Sequence, residues 1–151
     1  MTNKLPKIKL VSVGKPKGPW TDLCDVYLKR LERLDSVIIK EIGDGQQDTR
    51  IRTSAEILKK IDDNDYVILF DETGIPKSSQ QYAGVLEGLH GKNVVLVIGS
   101  SYGVDETLKQ RSNMILSLSE MVLPHELARV MVLEQTYRAA AILSSHPYHH
   151  Q

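Results

Sequence analysis

The sequence predicts a parallel α/β fold, an open five-stranded sheet flanked by helices. Strand-like and helix-like patterns alternate along the chain. The segments DYVILF (65–70) and NVVLVI (93–98) are apolar on both faces, as strands covered by helices on each side must be, and glycine- or proline-marked turns follow them. At 151 residues the chain falls within the range of one domain, so residues 1–151 are read as a single domain. Folding at that size buries roughly two thirds of the unfolded surface, enough for a core without a disulfide or structural metal.

Ile8 to Val13 is read as the first strand. Trp20, Leu23, Cys24, Tyr27, Leu28, Leu31 and Leu34 then recur at helical spacing, so a strand leads into an amphipathic helix. SVIIKEI (36–42) is β-branched and strand-like, and the polar, glycine-bearing stretch Gly43 to Asp48 reads as a loop. Thr53 and Glu56 stand at capping-box spacing, which predicts a helix start near Thr53. After the strand at 65–70, DETGIP is read as breaking it. Ser78 and Gln81 repeat the capping-box spacing and predict a helix to about His90. The strand at 93–98 is followed by GSSYG, a short helix from about Val104, a fifth strand NMILSLS (113–119), and a long last helix with Pro124 in its first turn. No internal repeat, linker or low-complexity tract interrupts the pattern.

Nineteen basic and nineteen acidic residues cancel, so no global field draws the chain to nucleic acid. Lys4, Lys7, Lys9, Lys15 and Lys17 precede the first acid, Asp22; this cationic start suits either contact with phosphates or plain solvation beside a strand. Cys24 is the single cysteine and can form no internal bridge, which favours a reducing, cytoplasmic setting. MTNKLPKIKLVSVGK lacks an apolar signal block, and runs such as Val94 to Ile98 are about a quarter of a membrane-spanning length, so no membrane association is expected.

Ligands of open parallel sheets bind beyond the carboxyl ends of the strands. Three loops qualify: Asp71 to Pro76, Gly99 to Gly103 and Glu120 to Pro124. GSSYG spells G-x-S-x-G, the pattern of a hydrolase nucleophile elbow with Ser101 on the turn. The partners that would have to follow are Glu120 or Glu126 with His146, all near the chain end, and the chain is short for that fold. Neither G-x-G-x-x-G after the first strand nor G-x-x-x-x-G-K-[ST] occurs. His146, His149 and His150 look like a metal cluster, but a tail supplies few fixed partners, and no metal is expected. The join from Glu120 to Pro124 is mostly apolar. Met121, Val122 and Leu123 offer few side-chain donors, so a polar ligand there would be read by main-chain groups, an arrangement that suits adenine between aliphatic walls. The same residues would equally serve to continue a buried strand.

VIGSSYG followed by LSLSEMVLPHELARV, EQTYRAA and a terminal PYH resembles the C-terminal half of the small RlmH-type SPOUT RNA methyltransferases, whose pattern runs I-G-G-x-x-G, L-S-x-S-x-x-T-x-P-H-x-x-x-R-V, E-Q-x-Y-R-A and P-Y-H. KIKLVSVGK, YLKRLERL and LFDETG agree as well, so the resemblance covers nearly the whole chain and is strongest after residue 93. It implies S-adenosylmethionine-dependent methylation of N3 of a pseudouridine in 23S (large-subunit) ribosomal RNA, with assembled ribosomes as partner. It also implies a deep C-terminal trefoil knot, an exception to the rule that chains avoid knots, and a homodimer with the cofactor pocket at the subunit interface. The implied cofactor-binding residues are Phe70, Gly99, Ser100, Ser119, Glu120, Met121, Val122, Leu123 and Pro124.

The implied catalytic set is His125, Arg129, Tyr148 and His149. His125 opens the last helix, where the helix N-terminus lowers an imidazole's affinity for a proton; it would contact the base or its N3 proton, or else be a surface histidine near a cap. Arg129, one turn later on the same face, would steady a phosphate or the cofactor carboxylate. Tyr148 and His149 would reach RNA from the tail, and Arg138, four residues after Glu134, would form an intrahelical ion pair. Three positions depart from the family pattern: Ser100 replaces its second glycine, Val122 its threonine, and His150 the basic residue after P-Y-H. Ser100 motivates an alternative, a non-catalytic RNA-binding factor that keeps the fold without the cofactor.

Overall fold

The computed structural model describes residues 4–34, 37–42 and 49–150. Its elements in chain order are β1 (Lys7–Val13), α1 (Pro19–Glu32), β2 (Val37–Ile42), α2 (Thr49–Leu58), β3 (Tyr66–Pro76), α3 (Ser79–Gly88), β4 (Asn93–Ile98), α4 (Glu106–Arg111), β5 (Met114–Ser117) and α5 (His125–Leu143). The five strands form one sheet in the order β2-β1-β4-β3-β5, with every pairing parallel. The expected architecture of a five-stranded parallel sheet with flanking helices is what the chain adopts. The loop read at Gly43 to Asp48 lies outside the described residues, as does the start of the second strand at Ser36.

The strand segments 66–70 and 94–98 are apolar throughout because alternate residues feed two cores. Ile8, Leu10, Ile68, Phe70, Val94 and Leu96 pack with buried residues of α1, α3 and α5. Val11, Val13, Val67, Leu69, Val95 and Val97 pack on the other face with Ile57 of α2 and Leu108 of α4. No helix among the described residues is long and apolar enough to cross a membrane.

Two local expectations are corrected. The second helix starts at Thr49, and Thr53 lies fully buried in its interior. Capping-box spacing recurs by chance inside helices; here the neighbouring Ser54 faces inward and its hydroxyl accepts the Asp105 amide at 2.9 Å, tying α2 to the cap of α4. DETGIP does not end the third strand. Phe70 and Ile75 both pair with Leu116 of β5, so Asp71 to Gly74 swing out of the ladder and the chain rejoins it. Glycine permits the return, because a Cβ on Gly74 would stand 2.7 Å from backbone atoms of Ile115 and Leu116. At Ser78 the expected capping box is present, with Gln81 N donating to Ser78 Oγ at 3.1 Å and Ser78 N to Gln81 Oε1 at 2.8 Å.

The connectivity leaves a crevice at the carboxyl edge. β1 and β4 are neighbours, but the chain after β1 turns to β2 while the chain after β4 crosses β3 to reach β5. Such divergence opens space beyond the strand ends. α5 then runs back against α1 and α3, bringing its first turn to the end of β1.

Candidate functional site

A cavity of about 400 Å³ opens at this carboxyl edge, a volume suited to a nucleoside-sized ligand. All three loops singled out in the sequence contribute. β3 supplies Phe70, Asp71 and Glu72; β4 and its turn supply Ile98, Gly99, Ser100, Ser101, Tyr102, Gly103 and Val104; β5 and its join supply Ser117, Leu118, Ser119, Met121, Val122, Leu123 and Pro124. His125 and Ala128 close the wall from α5. Glu120 is exposed and not part of the wall.

Each wall has a local cause. Phe70 is anchored edge-on against Tyr82, ring centroids 6.1 Å apart, and the Tyr82 hydroxyl meets Thr136 Oγ1 at 2.9 Å. Burial holds the Tyr82 proton well above the usual tyrosine range. Gly99 is required by close approach, since a Cβ there would stand 2.4 Å from Val104 Cγ1. The Ser100 hydroxyl donates to Gly103 O and accepts from Tyr102 N, both at 3.2 Å, and Gly103 N closes the turn on Ser100 O at 2.8 Å. The departure from glycine is thus absorbed by the turn's own hydrogen bonds.

The apolar join is a built turn. β5 ends at Ser117, whose hydroxyl donates to Ser119 O at 2.5 Å, while Ser119 Oγ accepts the Met121 amide at 3.0 Å. Two serines therefore satisfy the backbone of a loop whose other side chains are oily. Met121 and Val122 are each 77% exposed, so the buried-strand alternative does not describe this segment. Both side chains border the cavity.

His125 Nε2 lies 2.7 Å from Val13 O. A carbonyl only accepts, so Nε2 carries the hydrogen. Arg129 is placed differently from expectation. It is 4% exposed and outside the cavity wall, and its Nη2 reaches Ser12 Oγ (2.6 Å), Gly14 O (2.5 Å) and Val13 O (3.1 Å). Nη1 lies 3.7 Å from Glu41 Oε1, and Nε has no partner. Burial lowers the guanidinium's proton affinity, and Cys24, Glu41 and Glu126 oppose that. A fork engaged in this way has no bidentate face left for a phosphate or carboxylate.

Tyr148 and His149 are also placed differently. The tail folds back on α5, where the Tyr148 hydroxyl donates to Glu134 Oε1 at 2.9 Å and its ring meets Tyr137 at 4.8 Å. The guanidinium carbons of Arg138 and Arg30 lie 4.8 and 5.7 Å from that ring. Burial, then the bond to Glu134, holds the Tyr148 hydroxyl protonated beyond its ordinary range. His149 Nδ1 accepts from Arg138 Nη1 at 3.1 Å. The expected Glu134–Arg138 ion pair forms at 2.6 Å and raises the arginine's proton affinity. His146, the histidine that the hydrolase reading needs, has its Nδ1 accepting the Tyr148 amide at 3.2 Å and is not part of the cavity wall that holds Ser101. Among the described residues no group of three His, Cys, Asp or Glu converges as a metal site.

The sequence reading missed Ser12, Val13 and Gly14. A signal was present: Ser12 is the one uncharged polar residue in KIKLVSV, in phase with Ile8 and Leu10 on the face that meets α5.

A family model described as "Predicted SPOUT methyltransferase" matches residues 6–149. Among curated relatives, the chain is similar to the "Ribosomal RNA large subunit methyltransferase H" of Desulfovibrio desulfuricans at 38% identity, covering 95% of this chain and 97% of the relative. Proteins of the same name from Gloeobacter violaceus and Acholeplasma laidlawii are 36% and 35% identical, each match covering 95% of this chain and 99% of the relative.

Proposed function

Because the chain belongs to the SPOUT methyltransferase family, we propose that it transfers the methyl group of S-adenosylmethionine to N3 of a pseudouridine in large-subunit ribosomal RNA. The target is the assembled ribosome, the setting is the cytoplasm, and the acting form is a homodimer whose C-terminal segment is knotted. Names of relatives that act on large-subunit ribosomal RNA support the substrate class. The observation that carries the cofactor reading is the cavity itself: about 400 Å³, floored by the Gly99 turn and walled by Met121, Val122 and Leu123.

The residues fit an adenosyl ligand. Gly99 keeps the turn free of a Cβ where the floor is tight, the aliphatic join offers flat walls, and main-chain groups of the join are at hand for a base edge. Phe70, Gly99, Ser119 and Met121 to Pro124 would hold it, and when bound it supplies an electrophilic methyl carbon on a sulfonium with a good leaving group. Excluding water and aligning the accepting nitrogen is most of what remains for the protein. With Nε2–H committed to Val13 O, a neutral His125 has Nδ1 left to accept a proton from the base.

The test is transfer of labelled methyl from S-adenosylmethionine to ribosomes from cells lacking this protein, with mass spectrometry of the RNA to locate the product. One new methyl group on a single modified uridine is expected, together with a loss in His125→Ala of about 100-fold or more in kcat, the scale of general base catalysis. Saturable cofactor binding in calorimetry without any methyl transfer would sink the proposal, and absence of binding would favour the non-catalytic factor.

A further inference from the structure

We infer that Arg129 is a positioning residue for His125, acting through the main chain at the end of β1, and is not a contact for an anionic ligand. The use made of His125 rests on the function proposed above; the hydrogen bonds that place it do not.

The Val13–Gly14 peptide is held from both sides. Its amide, Gly14 N, donates to Ile42 O of β2 at 2.7 Å. Its carbonyl, Val13 O, accepts two donors, His125 Nε2 at 2.7 Å and Arg129 Nη2 at 3.1 Å. A carbonyl has two lone pairs, so both fit without competing. The next carbonyl, Gly14 O, accepts Nη2 at 2.5 Å, and Ser12 Oγ does so at 2.6 Å. One guanidinium nitrogen, its two hydrogens shared among three acceptors, therefore ties Ser12 and Val13 of β1 and the following Gly14 to α5 where the strand ends.

His125 and Arg129 stand one turn apart on α5, and both reach the same carbonyl. The consequence for the imidazole is chemical. Nε2 can bond Val13 O only while it bears hydrogen, so the neutral ring keeps its lone pair on Nδ1, on the side away from β1. His125 lines the cavity and Arg129 does not. Removing the guanidinium would leave Gly14 O and Ser12 Oγ without this donor and the Val13 carbonyl held by the imidazole alone. The ring would then follow a strand end held through its ladder to β2, without the tie to α5 that the guanidinium supplied, and misplacement by about 1 Å can cost about 100-fold in rate.

The experiment combines nitrogen-15 NMR of histidine-labelled protein with steady-state kinetics of Arg129→Met, Arg129→Lys and Ser12→Ala. In the wild type, His125 is expected as the Nε2–H tautomer with a hydrogen-bonded Nε2 proton; the Nδ1–H tautomer overturns the inference whether or not any variant folds. In Arg129→Met that proton signal should weaken and kcat fall at least tenfold, with the S-adenosylmethionine Kd within twofold of wild type. Arg129→Lys, which can still donate to the carbonyls, should recover part of both. Ser12→Ala should show a smaller loss of the same kind. A raised cofactor Kd or RNA KM with kcat intact means that Arg129 contacts a ligand, and the inference fails. If the wild type methylates nothing, the functional proposal fails, while the tautomer and its dependence on Arg129 are still read by NMR.

Discussion

Replacing Gly74 by alanine tests the unexpected return of the third strand. A Cβ at this position would lie 2.7 Å from Ile115 C, Ile115 O and Leu116 C, short of the 3.4 Å at which ordinary contact begins by about 0.7 Å. All three atoms are backbone of β5, so no side-chain rotation relieves the contact. Overpacking of this kind costs about 1–3 kcal/mol. Alanine also restricts the unfolded chain, which offsets about 0.4–1 kcal/mol of that. The balance is a net loss of about 1–2 kcal/mol, or a fall in Tm of about 2–8 °C for a chain of this size. β5 leads directly into the join at Ser119 to Pro124, so a displaced β5 should also raise the S-adenosylmethionine Kd several-fold. Differential scanning calorimetry and cofactor titration read the two effects. A Tm within about 1 °C of wild type and an unchanged Kd would refute the reasoning, because the strand would then have room that the close approach denies.

Ser78→Ala removes a side chain that accepts the Gln81 amide, and a loss of about 1 kcal/mol in urea unfolding is expected, with no change in cofactor affinity. Tyr82→Phe deletes the bond to Thr136 and should cost about 1 kcal/mol at pH 7. Burial makes the folded state hold the Tyr82 proton more tightly than the usual value of 10.0, so titration of this group leaves wild-type stability unchanged below pH 10 and lowers it as pH rises above it, where the unfolded chain loses the proton first; the phenylalanine variant has no such proton. The gap between wild type and Tyr82→Phe should therefore narrow in urea titrations above pH 10; a constant gap would contradict the assigned cause. Leu123→Asp places a carboxylate in the cavity wall and should weaken cofactor binding at least tenfold in calorimetry while leaving Tm within a few degrees.

Much of the fold was legible because burial on both faces leaves an unmistakable pattern. Leu69 and Phe70 face opposite cores, as do Val95 and Leu96, and a short, β-branched run that is apolar at every step and bounded by turn residues is what a covered parallel strand asks for. Ser78 with Gln81 was equally readable, since a capping box is a local interaction. Thr53 with Glu56 shows the limit of that rule. The same spacing falls within a helix whose start depends on how α2 lies on the sheet.

The three cavity loops were found because carboxyl ends of parallel strands converge whatever the side chains are. Individual roles were less legible. Arg129 reads as a free cation one turn from His125, yet it is consumed by carbonyls more than a hundred residues earlier in the chain. Tyr148 and His149 read as a loose tail, yet Glu134, Arg138 and Tyr137 hold them.

Sequence by itself determined the alternation of elements, the two-faced burial of the sheet and the oily character of the join, since each follows from periodicity and composition. Tertiary structure alone decided which backbone carbonyls the His125 ring and the Arg129 fork would meet. Side-chain identity states what a group can donate, whereas its acceptor is set by strand order and by how α5 crosses the end of β1.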